Sequence, residues 1–152
     1  MGCWSIDLCI ELGKRTGATP DGRKSGDALS KNAGASTAAD ANGITSLINS
    51  VAKLDHSEFP DGSVLDVMMH PSTVNVPCGD ALIAALIRTY FGKGGLFVHF
   101  NVLDVKTLRQ AQLEPEKFRN LQVRVCGWSA RFVNLSKEMQ ELFIAQAEAL
   151  AP

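Results

Sequence analysis

From Ile44 onward the chain moves between two hydrophobic rhythms. Ile44, Leu47, Ile48, Val51 and Leu54 recur at helical spacing, which predicts a helix over 45–54 with Thr45 as its cap. Pro60-Asp61-Gly62 marks a turn, and Val64-Leu65-Asp66-Val67-Met68-Met69 predicts a strand closed by His70-Pro71. That strand is almost continuously apolar, the pattern of burial on both faces in a parallel or barrel sheet. Leu82, Ile83, Leu86, Ile87, Tyr90 and Phe91 return to helical spacing, with Asp80 as the expected cap and Gly92 as the stop. A second strand is expected from Leu96 to Val102, after Gly95. Asp104 or Asn101 then leads into a helix over 105–112, and Pro115 to Phe118 reads as a short helical turn.

Towards the end the period shortens to two. Leu121, Val123 and Val125 alternate with Gln122 and Arg124, which predicts a strand, and Ser129 to Leu135 predicts another. Gly127 between them is the tip of a hairpin, where glycine supplies a backbone angle that other residues resist. Its neighbours are unusual for a solvent-facing turn. Val125, Cys126 and Trp128 are apolar, and the usual Asn or Asp turn partner is missing, so a buried loop is expected. Ser136 caps a last helix with Glu138 in its first turn, where the helix dipole favours negative charge. Its buried face is Met139, Leu142, Phe143, Gln146 or Ala147, and Leu150. Helices alternating with strands predict an α/β domain over 44–152.

The first 43 residues look different. Cys3 to Leu12 is mostly apolar and reads as a strand or a short helix. Gly13 to Gly43 is rich in Gly, Ala, Ser, Asn and Asp, and predicts a long loop, in part disordered. Inside it, Gly17-x-x-x-x-Gly22-Arg23-Lys24-Ser25 nearly spells a phosphate-binding P-loop. Its lysine is displaced by one residue, Pro20 and Asp21 stiffen and charge the cradle, and no helix is expected to follow. A tight turn around Pro20-Asp21-Gly22 is the plainer reading.

Composition narrows the function classes. A net charge of −1 across 152 residues argues against a dedicated nucleic-acid binder, and no apolar run is long enough to span a membrane. The N-terminus lacks the basic region of a signal peptide, and Ile6 stands where a myristoylation motif needs Ser or Thr. Cys3, Cys9, Cys78 and Cys126 form no CxxC pair, so zinc is not expected, and with no export signal reduced thiols in the cytoplasm are. His56, His70 and His99 are isolated along the chain and suggest no metal site. GxSxG, HExxH and paired-carboxylate patterns are missing, which leaves conventional hydrolysis unsupported. Cys78 precedes a predicted helix N-terminus, a place that can lower a thiol pKa. A small loop or buried residue is the plainer reading.

Arg124-Val125-Cys126-Gly127-Trp128 resembles the RVxG(Y/W) signature of glycyl radical enzymes, the family of pyruvate formate-lyase and related dehydratases and lyases. Thr16-Gly17-Ala18-Thr19-Pro20-Asp21-Gly22-Arg23-Lys24-Ser25-Gly26 resembles the same family's TGATPDGRKxG segment. Asn49 to Asp55, His70-Pro71-Ser72, Leu86 to Phe91 and Phe100-Asn101-Val102 follow in family order. The resemblance implies the C-terminal portion of a ten-stranded α/β barrel, ending in a glycine-loop hairpin and a helix. It implies a radical stored on Gly127, with Arg124, Val125, Cys126 and Trp128 around it and the loop at Asp21, Gly22 and Arg23 near the site. A separate activating enzyme that uses S-adenosylmethionine and an iron–sulfur cluster would install the radical, in oxygen-free surroundings.

Glycine suits such a radical. Loss of a Cα hydrogen leaves a planar centre conjugated with the amides on both sides, and a Cβ would hinder both planarity and access. The family's thiyl-forming cysteine lies on an upstream loop that nothing here matches. The resemblance thus implies radical storage without the attacking cysteine, and a fragment or partner subunit of a larger body. Acyl transfer of the formate acetyltransferase type, dehydration, and C–N or C–C cleavage all stay open. Two other readings stand beside it: a stand-alone spare part for a damaged enzyme, and a non-catalytic ligand-binding or interaction module using the loop around Gly22.

Overall fold

The computed structural model describes residues 8–36, 42–125 and 127–149. The expectations for Cys3, Ile6, Cys126 and Leu150 fall outside them.

The described end of the apolar N-terminal stretch forms helix α1 (Cys9–Lys14), so from Cys9 onward the strand-or-helix choice falls to helix. Helix α2 (Ile44–Val51) follows the predicted stripe, and buries Leu47, Ile48 and Val51. Its N-cap is Gly43 at φ 85°, not Thr45, and Leu54 lies past its end and is exposed. Strand β1 (Val64–Met69) has the predicted bounds. A single turn, α3 (Pro71–Val74), is capped by His70, whose Nδ1 accepts from the Ser72 N–H. Helix α4 (Gly79–Gly92) starts at Cys78 rather than Asp80, which instead sits in the first turn. Gly94, at φ 94°, makes the turn out of α4. Strand β2 (Phe97–Val102) lies parallel to β1, as the apolar run of β1 predicted, and α4 provides the crossover that parallel strands require.

Helix α5 (Val105–Leu113) is capped by Asp104, which accepts from the Thr107 N–H at 2.8 Å. A 3₁₀ turn over Pro115–Phe118 leads to the antiparallel hairpin of β3 (Gln122–Val125) and β4 (Trp128–Arg131). The second strand is shorter than predicted. Phe132–Asn134 turn into a 3₁₀ segment because Gln140 donates to the carbonyls of Phe132 and Leu135, both at 3.1 Å. Helix α6 (Lys137–Ala149) closes the described chain, with Ser136 Oγ accepting from the Met139 N–H at 3.2 Å.

The parallel pair divides the hydrophobic interior. Leu65, Val67 and Met69 point to one side, where they pack with Ile48, Val51, Leu86 and Tyr90 from α2 and α4. Met68 points to the other side, into a core built from the hairpin, α5, α6 and Cys9 of α1. There Phe132 and Phe143 meet edge to face at 6.5 Å, the arrangement that aromatic quadrupoles favour. The fold is mixed α/β, with one side of the parallel pair looking towards the hairpin.

Candidate functional site: the glycine hairpin

The hairpin register pairs Val123 with Ala130, Arg124 with Ser129 and Val125 with Trp128, and Gly127 lies just before β4 at the tip. Side chains of a strand alternate, so Val123, Val125 and Ala130 face the core. Arg124 and Ser129 share the opposite face. Gly127 has φ 109°, a left-handed angle that side chains resist, and a Cβ built there would meet nothing within 4 Å. The backbone angle, and not lack of space, makes this position a glycine.

The expected burial of the loop is not observed. Gly127 is exposed and Trp128 is 45% exposed, whereas Val125 is 1% exposed. Alternation does not separate the two, because Val125 and Trp128 are cross-strand partners on one face. Val125 sits over the core, while its partner Trp128 overhangs the core's edge. Trp128 there lines a groove of about 350 Å³ with Leu8, Leu135 and Met139.

Arg124 organises the other face. Its guanidinium donates to Ser129 Oγ at 2.9 Å and to the Gly127 carbonyl oxygen at 3.4 Å, so it ties the tip to both strands of the hairpin. It also reaches His99 Nε2 on β2 at 3.0 Å. Guanidinium carries only donors, so this contact makes His99 Nε2 the acceptor and places the ring proton on Nδ1. Nδ1 lies 3.0 Å from Asp66 Oδ1, and Asp66 Oδ2 accepts from Asn32 Nδ2 at 2.6 Å. Phe97 packs edge-on against the His99 ring at 4.6 Å. A continuous polar chain thus runs from the N-terminal loop through β1 and β2 to the carbonyl of Gly127. Asn101 adds a second link. Its carboxamide accepts from the Arg124 N–H at 2.7 Å and donates to the Arg124 carbonyl at 3.0 Å, as a neighbouring strand would.

The loop at Asp21, Gly22 and Arg23 has its own architecture. The Gly22 N–H bonds the Thr19 carbonyl at 3.1 Å and the Thr19 N–H bonds the Arg23 carbonyl at 3.0 Å, with Gly22 at φ 100°. This is the predicted Pro-Asp-Gly turn, closed by a glycine bulge. No helix follows it in the described loop, so the P-loop spelling builds no phosphate cradle. Arg23 is buried, and its guanidinium donates to the carbonyls of Lys24 at 3.0 Å, Asp27 at 2.7 Å, Thr16 at 3.3 Å and Gly17. The recorded partners of Asp21 and Arg23 all belong to this loop. It reaches the hairpin through Asn32 instead.

Asn32, Asp66, His99 and Asn101 are the site residues that the sequence reading missed. One signal was present: His99 and Asn101 alternate with Val98 and Phe100 on a buried strand, and buried polar groups need partners. Among the described cysteines, Cys78 is exposed at the head of α4 and Cys9 is buried in the hairpin-side core. Among the described residues, no three His, Cys, Asp or Glu side chains converge as metal ligands, and no helix is long and apolar enough to cross a membrane.

The family model described as glycine radical matches residues 29–133, well over half of the chain and all of the hairpin. This chain belongs to the glycine radical family. The radical-domain chain is 42% identical to indoleacetate decarboxylase of Tractidigestivibacter scatoligenes, over 90% of its own length and 16% of that protein. It is 39% identical to the 4-hydroxyphenylacetate decarboxylase glycyl radical subunit of Clostridium scatologenes, over 86% of its length and 15% of that subunit. It superposes on the glycerol-bound B12-independent glycerol dehydratase of Clostridium butyricum with a TM-score of 0.87 and 43% identity, covering 91% of this chain and 18% of that one. The radical-domain chain thus spans less than a fifth of the length of these relatives. They are decarboxylases and a dehydratase and not formate acetyltransferases, so of the chemistries left open by the sequence the acyl-transfer expectation is not the one these relatives carry.

Proposed function

We propose that Gly127 stores an unpaired electron for a decarboxylase- or dehydratase-type glycyl radical enzyme. The observation that carries this reading is the geometry of the Gly127 tip. A glycine that needs its positive φ stands at the end of a hairpin, open around the position of its missing Cβ, with its carbonyl in reach of Arg124. A Cα hydrogen atom would pass from Gly127 to a carbon radical on an activating enzyme, which draws on S-adenosylmethionine and an iron–sulfur cluster. The Cα–H bond breaks homolytically, and the remaining electron spreads over the adjacent amides. The Arg124 guanidinium, donating to the Gly127 oxygen, favours the form in which that oxygen shares the density.

In this reading β1 and β2 belong to the family's α/β barrel, and the hairpin enters its centre. The attacking cysteine sits on a larger body, so this chain acts as a fragment or partner subunit and turns over no substrate alone. The loop at Asp21, Gly22 and Arg23 supports the site rather than binding substrate. Open space around Gly127 calls for anaerobic surroundings, as in the cytoplasm of an anaerobe, because oxygen would reach the radical.

Electron paramagnetic resonance tests the reading. With a compatible activator, S-adenosylmethionine and no oxygen, the chain should give a doublet, since one hydrogen remains on Cα. Growth on α-deuterated glycine should collapse it to a singlet. Air should then cut the chain at Gly127 and release β4 with α6. A doublet that persists in Gly127→Ala would place the radical elsewhere and end the assignment.

A further inference from the structure

We infer that Asp66 and His99 are positioning residues that latch the tip of the Gly127 hairpin to the parallel sheet through Arg124. The inference rests on Gly127 as the radical carrier for its meaning, though its geometry stands alone. The hairpin is held at two levels. Asn101 grips the backbone of Arg124 and so holds strand β3 itself. His99 grips only the Arg124 side chain, and that side chain is what touches the Gly127 carbonyl and Ser129. Loss of the His99 contact would leave β3 seated and let Arg124 swing, freeing the tip.

Chemistry makes this contact conditional. His99 can accept from Arg124 only with its proton on Nδ1, and Asp66 Oδ1 at 3.0 Å holds the proton there. Asp66 is held in turn by Asn32. The parallel register sets Asp66 beside His99, so the pair is a product of the sheet and not of the hairpin. His99 is 6% exposed, and a buried ring with a ring nitrogen facing a guanidinium has few ways to relax other than keeping this arrangement. The latch therefore sets how freely the exposed tip can move as an activator takes up the Cα hydrogen.

Two substitutions separate the latch from mere packing. The amide of Gln sits where Nε2 of histidine does, so His99→Gln keeps an acceptor for Arg124 and gives up Asp66. The amide of Asn sits where Nδ1 does, so His99→Asn keeps Asp66 and gives up Arg124. Hydrogen exchange of the hairpin amides in the full chain should rise about two- to tenfold in His99→Asn, the weight of one lost hydrogen bond, and stay near wild type in His99→Gln. An equal rise in both variants would reduce His99 to a packing residue and overturn the latch. Nitrogen NMR of the imidazole in the unmutated protein gives a check that needs no variant to fold. It should show Nδ1 protonated and Nε2 bare, and the opposite tautomer would refute the inference. With activator present, His99→Asn should gain radical faster than His99→Gln. If the wild-type chain gives no signal at all, the radical assignment fails while the exchange and tautomer results still decide the latch.

Discussion

Two turns in this chain use the same parts and do different work. Each is cornered by a glycine at positive φ, 100° at Gly22 and 109° at Gly127, and each has open space where a Cβ would be. Each also has an arginine whose guanidinium reaches backbone carbonyls. Arg23 spends its two terminal nitrogens on four carbonyls of its own loop, and is buried while doing so. Arg124 divides its donors between its own hairpin and His99 on another element. The first arrangement is closed and makes a local staple. The second is open to control from outside, because one of its partners has a proton that a third residue positions. The lesson is that the motif around a glycine says little about its role until the far end of the neighbouring arginine is traced.

The largest expected effect separates the two arginines. Arg23→Ala would leave four inward-facing carbonyls without their charged donor, at a cost of about 3 kcal/mol or more. Urea denaturation should show the loss, and proteolysis should move to residues 16–30. A cost near zero would mean that the staple is not needed and the comparison fails. The glycines come next. Gly22→Ala and Gly127→Ala should each cost about 1–2 kcal/mol, since both force a side chain onto a left-handed angle where space is ample. Similar costs with opposite radical outcomes, a doublet kept in Gly22→Ala and lost in Gly127→Ala, would show that the turns differ in chemistry and not in strain. Should both substitutions abolish the doublet in well-folded chains, the division between staple and site would collapse.

A helix cap provides a smaller yardstick outside both turns. Burial, the strongest single influence on Asp104, pushes its carboxyl up. The hydrogen bonds from the Thr107 N–H and hydroxyl, with His70 nearby, outweigh it and leave the group below its ordinary value. A carboxyl depressed in the folded state stabilises the fold above its unfolded pKa of about 3.9, and that contribution fades as pH falls through the folded value. Asp104→Ala should cost about 1 kcal/mol at neutral pH, and the gap to wild type should close in acid. A gap that widens in acid would contradict the assignment.

Much of this molecule was legible along the chain. Val64–Met69 as a strand buried on both faces, the Pro-Asp-Gly turn, the hairpin at Gly127 and the Ser136 cap all follow from local rules. Each depends on residues within one turn or one strand of one another. Element edges were less legible. Thr45 and Asp80 looked like caps, but the chain uses Gly43 and Cys78, and β4 ends at Arg131 because Gln140, from α6, takes the Phe132 carbonyl. The motif singled out Gly127 from sequence, and its φ of 109° is the backbone angle that the hairpin reading expects of a glycine. What only the tertiary structure decided is what surrounds that glycine. Pairing β1 with β2 in one parallel register put Asp66 beside His99, and the packing of β3 against β2 brought Arg124 onto Nε2. These residues are 33 and 25 positions apart, so no local period could join them. The exposure of Trp128 was likewise decided by where the core ends, a property of the folded solid and not of the strand that carries it.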